Sequence, residues 1–142
     1  MENRSGPCII LMADDDHDDC LLARMAFEQA AIGGEMRFVE DGKELMDYLQ
    51  RGGEYTSQDK APRPDLILLD LNMPRMDGRE ALREIKSNLR FKDIPVVILT
   101  TSRQDKDVKL CLDAGACEFK TKPVEISEWV EVIAGSIESH CP

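Results

Sequence analysis

Leu66 to Leu69 run without a polar interruption into Asp70. The stretch they belong to, D-L-I-L-L-D-L-N-M-P-R-M-D-G from Asp65 to Gly78, constrains the fold more than any other. A strand with one wet face alternates apolar and polar residues, whereas a strand covered by helices on both faces reads as a continuous apolar run. Cys8 to Ala13 (C-I-I-L-M-A) is a second such run and ends in Asp14-Asp15-Asp16, while Pro95 opens another, V-V-I-L-T-T. Buried parallel strands are the arrangement that these runs predict.

Helical spacing fills the intervals. Asp16 to Asp19 can cap a helix in which Leu21, Leu22, Met25, Ala26 and Ala30 recur at its period, until Gly33-Gly34 stops it. Met36 to Glu40 predicts a short strand, Asp41-Gly42 a turn, and Glu44 to Arg51 a helix ended by Gly52-Gly53. The polar segment from Gly53 to Pro64 predicts a surface loop longer than a simple connection needs. Arg79 to Asn88 and Arg103 to Ala114 predict the third and fourth helices, Glu118 to Thr121 a fifth strand, and Glu125 to about Ser139 the last helix. Strands alternating with helices five times predict an α/β fold: one parallel sheet with right-handed crossovers and helices on both faces. A chain of 142 residues makes one domain, read here as 8–139 with tails at 1–7 and 140–142 and no output domain.

Charge and cysteine content bound what such a domain meets. A formal net charge of −10 argues against nucleic acid, whose phosphates would be repelled, and suits a cation or a basic partner surface. No apolar run approaches the roughly 18 residues of a membrane span, and M-E-N-R-S-G-P lacks the pattern of a secretory signal. Five cysteines, odd in number and without a C-x-x-C pair, predict reduced thiols in a cytoplasmic protein rather than a disulfide frame or zinc site.

Open parallel sheets bind ligands at the carboxyl edge of their strands. On that edge the first strand delivers Asp14 and Asp15, the third Asp70, the fourth Thr100 and the fifth Lys122. Carboxylates a few ångström apart repel, so one stays protonated unless a cation joins them. A hard divalent ion with oxygen ligands, Mg²⁺, resolves that conflict. A metal beside a nucleophilic carboxylate is an arrangement for attack on a phosphoryl group, giving an aspartyl phosphate. Lys122 can neutralise charge on the transferred group, and the Thr100 hydroxyl can donate to it.

These residues resemble a known family. D-D after the first strand, D-L-N-M-P-R-M-D-G around the third, T at the end of the fourth and K-P after the fifth are similar to the receiver domain of two-component response regulators, over about residues 8 to 139. The resemblance implies a flavodoxin-like, doubly wound five-stranded sheet of order 2-1-3-4-5, as in the chemotaxis-type receiver. It implies that Asp70 takes a phosphoryl group from the phosphohistidine of a sensor histidine kinase. Mg²⁺ would be held by the side chains of Asp15 and Asp70 and by the backbone carbonyl of Asn72, with Asp14 acting through a metal-bound water. Thr100 would swing toward the phosphoryl group and Phe119 would repack inward, altering the face of the fourth helix, fifth strand and fifth helix. The Lys122-Pro123 peptide is expected to be cis, as in the family. Thr101 stands where the family usually has a smaller residue, so it would govern access to the phosphoryl group. The long Gly53 to Pro64 loop and R-P-D-L-I-L-L-D-L-N-M-P resemble the single-domain regulators paired with bacterial phytochromes.

Other residues read more plainly. Asp16, Asp18 and Asp19 suit a solvated helix start, and His17 an exposed histidine beside it. Asp14-x-Asp16-x-Asp18 fails as a calcium loop, because Asp19 stands where glycine is needed and Met25 where the closing glutamate is needed. His140 and Cys141 read as tail residues. In the last helix Trp129, Val132 and Ile133 face the sheet, and Ile126, Val130 and Ile137 form a second stripe. With Leu110, pointing away from Val108, Cys111 and Leu112, that stripe predicts a homodimer surface. Beside the stand-alone regulator, which is not an enzyme in the turnover sense, three alternatives stay open. One is a phosphoryl shuttle to a histidine phosphotransfer protein, and another an aspartyl-phosphate phosphatase of haloacid dehalogenase type. The latter wants D-x-D-x-T/V with its nucleophile after the first strand, and Asp18 departs from that pattern. The third is an adaptor that is never phosphorylated, against which the intact acid set and Lys122 argue.

Overall fold

The computed structural model describes residues 8–57 and 60–141; the expected N-terminal tail, 1–7, and Pro142 lie outside the described residues. Ten elements alternate along the chain: β1 (Ile9–Ala13), α1 (His17–Ala30), β2 (Glu35–Val39), α2 (Gly42–Gln50), β3 (Leu66–Leu69), α3 (Gly78–Lys86), β4 (Val96–Thr100), α4 (Asp105–Asp113), β5 (Glu118–Thr121) and α5 (Ile126–His140). The sheet is parallel, in the order β2-β1-β3-β4-β5, so the flavodoxin-like expectation holds.

The unbroken apolar runs are explained by two cores, one on each face. Ile10, Met12, Leu66, Leu68, Val97 and Leu99 point toward α1 and α5, where Ala23, Ala26, Trp129 and Ile133 meet them. Leu11, Ala13, Ile67, Leu69, Val96 and Ile98 point the other way, onto Leu45, Leu82, Ile85 and Cys111 of α2, α3 and α4. Successive side chains of a strand face opposite sides, so every residue of β1, β3 and β4 needs an apolar partner.

Helix starts follow the acids. Asp16, Asp41 and Asp77 cap α1, α2 and α3 by accepting backbone N–H groups of the first turn. Helix ends depart from the expected glycine stops: α1 closes on Ala31 and α2 on Arg51, each left-handed, with φ of 53° and 56°. Close backbone approach fixes Gly78. A methyl group there would overlap the carbonyl oxygen of Asp70 and lie 2.8 Å from the α-carbon of Leu71. The loop after β3 thereby returns tightly enough for Gly78 N–H to reach Leu71 O at 2.9 Å. The long loop is pinned to α2 by Tyr48 Oη donating to Pro62 O (2.8 Å) and Tyr55 Oη donating to Glu44 Oε2 (2.5 Å).

Several expectations are corrected. Cys8 and Cys141 form a disulfide across 133 residues, so these two are not reduced thiols; Cys20, Cys111 and Cys117 are free. Residues 140 and 141 are not a tail: His140 ends α5 and its Nε2 lies 2.6 Å from Glu118 Oε1. The Lys122–Pro123 peptide is trans, the form an X–Pro bond prefers by about 0.5–1 kcal/mol unless its surroundings oppose it, and Lys122 reaches the acidic edge from it. The expected dimer stripe is largely absorbed into the fold. Ile137 is buried, Ile126 and Val130 pack on the α1–α5 core, and Leu110 packs on the opposite core, leaving Leu112 as the exposed large apolar residue of α4.

Candidate functional site

β1, β3, β4 and β5 end at one edge, and their next residues meet there. Asp14 follows β1 and is fully buried, Asp70 follows β3 and is nearly so, and Thr100 closes β4, fully buried. Asp15 is exposed beside them. Lys122 follows β5 and carries its ammonium among the acids: Nζ lies 2.7 Å from Asp14 Oδ2, 2.8 Å from Asp19 Oδ2 and 3.4 Å from Asp70 Oδ2. The expected Asp14, Asp15, Asp70, Thr100 and Lys122 are thus brought together.

Asp14 and Asp70 each have one oxygen held by a backbone N–H and one turned toward Lys122. Asp14 Oδ1 accepts from Asp16 N–H at 2.9 Å, and Asp70 Oδ1 accepts from Leu71 N–H at 2.8 Å. The Oδ2 atoms of both face Lys122. Burial pushes the Asp14 carboxyl up from 3.8 to about 6, against the opposing pull of Lys122 and the Asp16 amide, and the charge on Asp70 adds to the rise. One ammonium therefore does not compensate three acids. Burial works against charge on Lys122 as well, but Asp14 and Asp19 outweigh it and hold the ammonium firmly protonated. Cys20, whose thiol donates to Asp14 O at 3.6 Å, is pushed up to about 12 by burial and by Asp14.

A divalent cation fits this electrostatic deficit. Asp14, Asp15 and Asp70 offer carboxylate oxygens all within 4.8 Å of one another, and buried Asp14 Oδ2 has no hydrogen-bond partner besides its contact with Lys122. All-oxygen donors of this kind suit Mg²⁺ or Mn²⁺.

Around this centre the other expected residues take definite places. Thr100 Oγ1 accepts from Ser102 N–H at a long 3.5 Å and makes no other hydrogen bond among the described residues. Thr101 and Asn72 are exposed at the rim. Phe119 is half-buried and packs on the α2–α4 core. His17 is exposed, with Nε2 3.3 Å from Glu40 Oε2.

Two features were missed. Asp19 is not merely solvated, because in the first turn of α1 its carboxylate faces Lys122; the helix phase set by the Asp16 cap was the available signal. Arg79 of α3 grips Asp107 of α4 in a two-pronged ion pair, Nε to Oδ1 and Nη2 to Oδ2, each 2.9 Å, and Ser102 Oγ donates to Asp107 Oδ2 at 2.7 Å. These bonds, Arg79 first, hold the Asp107 carboxyl down at about 2. The pair ties α3 to α4, Ser102 joins it from the loop after β4, and no local sequence signal marks it.

Known proteins carry the same pattern. The chain is 40% identical over 133 residues to response regulator Rcp1 of Synechocystis sp., a match covering 94% of this chain and 88% of Rcp1. The crystal structure of the phosphorylated cyanobacterial phytochrome response regulator RcpA superposes with a TM-score of 0.86 at 38% identity, over 95% of this chain and 94% of that one. The Mn²⁺-bound form of Rcp1 superposes with a TM-score of 0.82 at 40% identity, over 94% and 93%. The profile of the response regulator receiver domain matches residues 10–134. With its acids, hydroxyl and lysine gathered on the carboxyl edge of a 2-1-3-4-5 sheet, the chain belongs to the response regulator receiver domain family of two-component signalling.

Proposed function

We propose that Asp70 accepts a phosphoryl group from the phosphohistidine of a sensor histidine kinase, and that the modified domain signals through protein contacts. The observation that carries this reading is Lys122 Nζ, held between Asp14, Asp19 and Asp70 at the edge where three carboxylates converge. Similarity to the phytochrome regulator RcpA supports a phytochrome as the kind of kinase. A cytoplasmic location goes with this reading, because the kinase draws its phosphoryl group from ATP.

The chain's own residues account for the transfer. Leu71 N–H fixes Asp70 Oδ1, which leaves Oδ2 as the attacking oxygen. A new O–P bond forms as the P–N bond to the donor imidazole breaks, and the electron pair stays on that nitrogen. Lys122 is drawn from Asp14 and Asp19 toward the new phosphoryl oxygens. Thr100, with its hydroxyl proton uncommitted, gains an acceptor, and Phe119 on the adjacent strand gains room to repack. Asp15, Asp70 and the Asn72 carbonyl would hold Mg²⁺ directly, and Asp14 through a water. Bound there, the ion supplies charge neutralisation for the in-line transfer. Thr101, exposed at the rim, sets how readily water reaches the product.

Intact-mass analysis after incubation with acetyl phosphate and Mg²⁺ tests the reading. A single base-labile phosphoryl adduct is expected, absent without the metal and absent in Asp70→Asn. An adduct that survives in Asp70→Asn would sink the assignment. So would the lack of any adduct in native protein that also fails to bind beryllofluoride.

A further inference from the structure

The edge of the sheet opposite the acids carries a second chemical group. Cys8 enters β1 and Cys141 caps the end of α5, and their sulfurs are joined although 133 residues separate them. Both positions are anchored independently of the bond. Cys8 O accepts from Glu35 N–H at 2.9 Å, Cys141 N–H donates to Ile137 O at 2.9 Å, and their Cα atoms stand 6.5 Å apart. Cys8 is buried and Cys141 is half-exposed, so a reagent from solvent meets Cys141 first. Of the remaining cysteines, Cys111 is buried and Cys20 is held protonated by burial and by Asp14, whereas Cys117 is exposed with no partner sulfur among the described residues.

We propose that Cys8 and Cys141 are a reversible oxidation site that clasps the end of α5 to the start of β1. The oxidant is a low-molecular-weight disulfide. Cys141, as thiolate after losing its proton to solvent, attacks one sulfur of the oxidant, forms a mixed disulfide and expels the first thiolate, which is protonated. Cys8 then attacks the Cys141 sulfur and expels the second. Two protein thiols are oxidised, and one small disulfide is reduced to two thiols.

The surroundings set the direction. Cys141 sits at the negative end of α5, and a carboxylate oxygen of Asp65 lies within 4.8 Å of both sulfurs. Neither feature supplies the positive field that a helix N-terminus gives a reactive thiol. A monothiol reductant that opens the bond leaves Cys8 beside the mixed disulfide at high effective concentration, and the clasp closes again. Only a dithiol, which removes itself by cyclising, opens it efficiently. Closure holds the last turn of α5 to β1 while His140 already ties it to Glu118 of β5.

The test uses the full chain, reduced with dithiothreitol, freed of metal with EDTA and then given oxidised glutathione. In the expected product peptide mapping links Cys8 to Cys141 with the loss of two hydrogens, and any glutathione is confined to exposed Cys117. Cys8→Ser and Cys141→Ser lose that product, whereas Cys117→Ser keeps it. Closing so long a loop is expected to raise the midpoint of thermal unfolding by roughly 10 °C. Dithiothreitol reverses the shift, and an excess of reduced glutathione does not. A stable glutathione adduct on Cys141 of the native chain would overturn the proposal, as would equal unfolding midpoints of the two forms. Because Cys8 is buried, Cys141→Ser serves as the variant least able to disturb folding. Zinc alone is the last arm: if the reduced chain retains one zinc through Cys8, Cys141 and Asp65 and then resists oxidation, these residues form a metal site and the clasp is wrong.

Discussion

Two buried aspartates, Asp14 and Asp107, stand at the same end of the sheet and have been driven in opposite directions. Asp107 receives two hydrogen bonds from Arg79 and one from Ser102, and its carboxyl is held at about 2. Asp14 shares one lysine with Asp19 and Asp70, and burial lifts its carboxyl to about 6. The first is a charge whose surroundings are complete, and it ties elements together. The second is a charge whose surroundings lack something, which is what the proposed binding of a cation and a phosphoryl group requires. A buried acid thus reports its role through what it still needs.

The largest expected effect comes from spoiling the satisfied pair. Arg79→Ala leaves Asp107 buried with only Ser102 and Lys106 to offset its charge. Breaking a fully buried pair costs roughly 3–5 kcal/mol, and the quarter exposure of the Arg79 side chain lowers the expectation to about 3 kcal/mol. Urea unfolding measures it. A loss under about 1 kcal/mol would show the pair to behave as a surface ion pair, and the contrast with Asp14 would fail.

Relieving the unsatisfied acid should do the opposite. A rise from 3.8 to about 6 means that ionised Asp14 works against folding at neutral pH. Asp14→Asn in EDTA is therefore expected to stabilise the chain by about 2 kcal/mol, since each unit of such a shift is worth about 1.4 kcal/mol and some relaxation is expected. The same substitution should weaken Mg²⁺ binding, measured by titration calorimetry. A destabilised Asp14→Asn chain would mean that the Lys122 contact matters more than desolvation.

The contrast between these acids also marks how far the sequence could be read. Apolar runs and the residues that follow them made the sheet and the Asp14, Asp15, Asp70, Thr100 and Lys122 set legible, because strand ends in a parallel sheet share an edge wherever they lie in the chain; the strand order came from the family resemblance. Arg79 and Asp107 were not legible. Each falls in a stretch that reads only as helix, and the packing of α3 beside α4 brings them together. Asp19 was misjudged for a related reason, since its contact with Lys122 depends on where α1 lies over a strand end about a hundred residues later. Cys8 and Cys141 meet only because α5 is long enough to carry the chain back to the foot of β1. The left-handed caps at Ala31 and Arg51 were settled by tertiary context over local preference, whereas the bond before Pro123 keeps the trans form that an X–Pro bond prefers locally.

The smallest effect, a difference between slopes, separates the two acids most cleanly. Between about pH 4 and 6 folded Asp14 holds more proton than unfolded Asp14, so its contribution makes stability fall as pH rises through that window and stay level above it. For Asp107 the unfolded state holds more proton between about pH 2 and 4, so its contribution is full above that window and is lost as pH falls through it. Subtracting native from Asp14→Asn stabilities in EDTA cancels the other groups: the difference should be near zero at pH 4 and reach its full value by pH 7. Native minus Asp107→Asn should show no such slope between pH 4 and 7. With millimolar Mg²⁺ the first difference should shrink or change sign at pH 7, because a bound cation favours the ionised acid. A difference for Asp14→Asn that is equally large at pH 4 and pH 7 would mean that the substitution acts through packing, and the two aspartates would then differ in neighbours but not in kind.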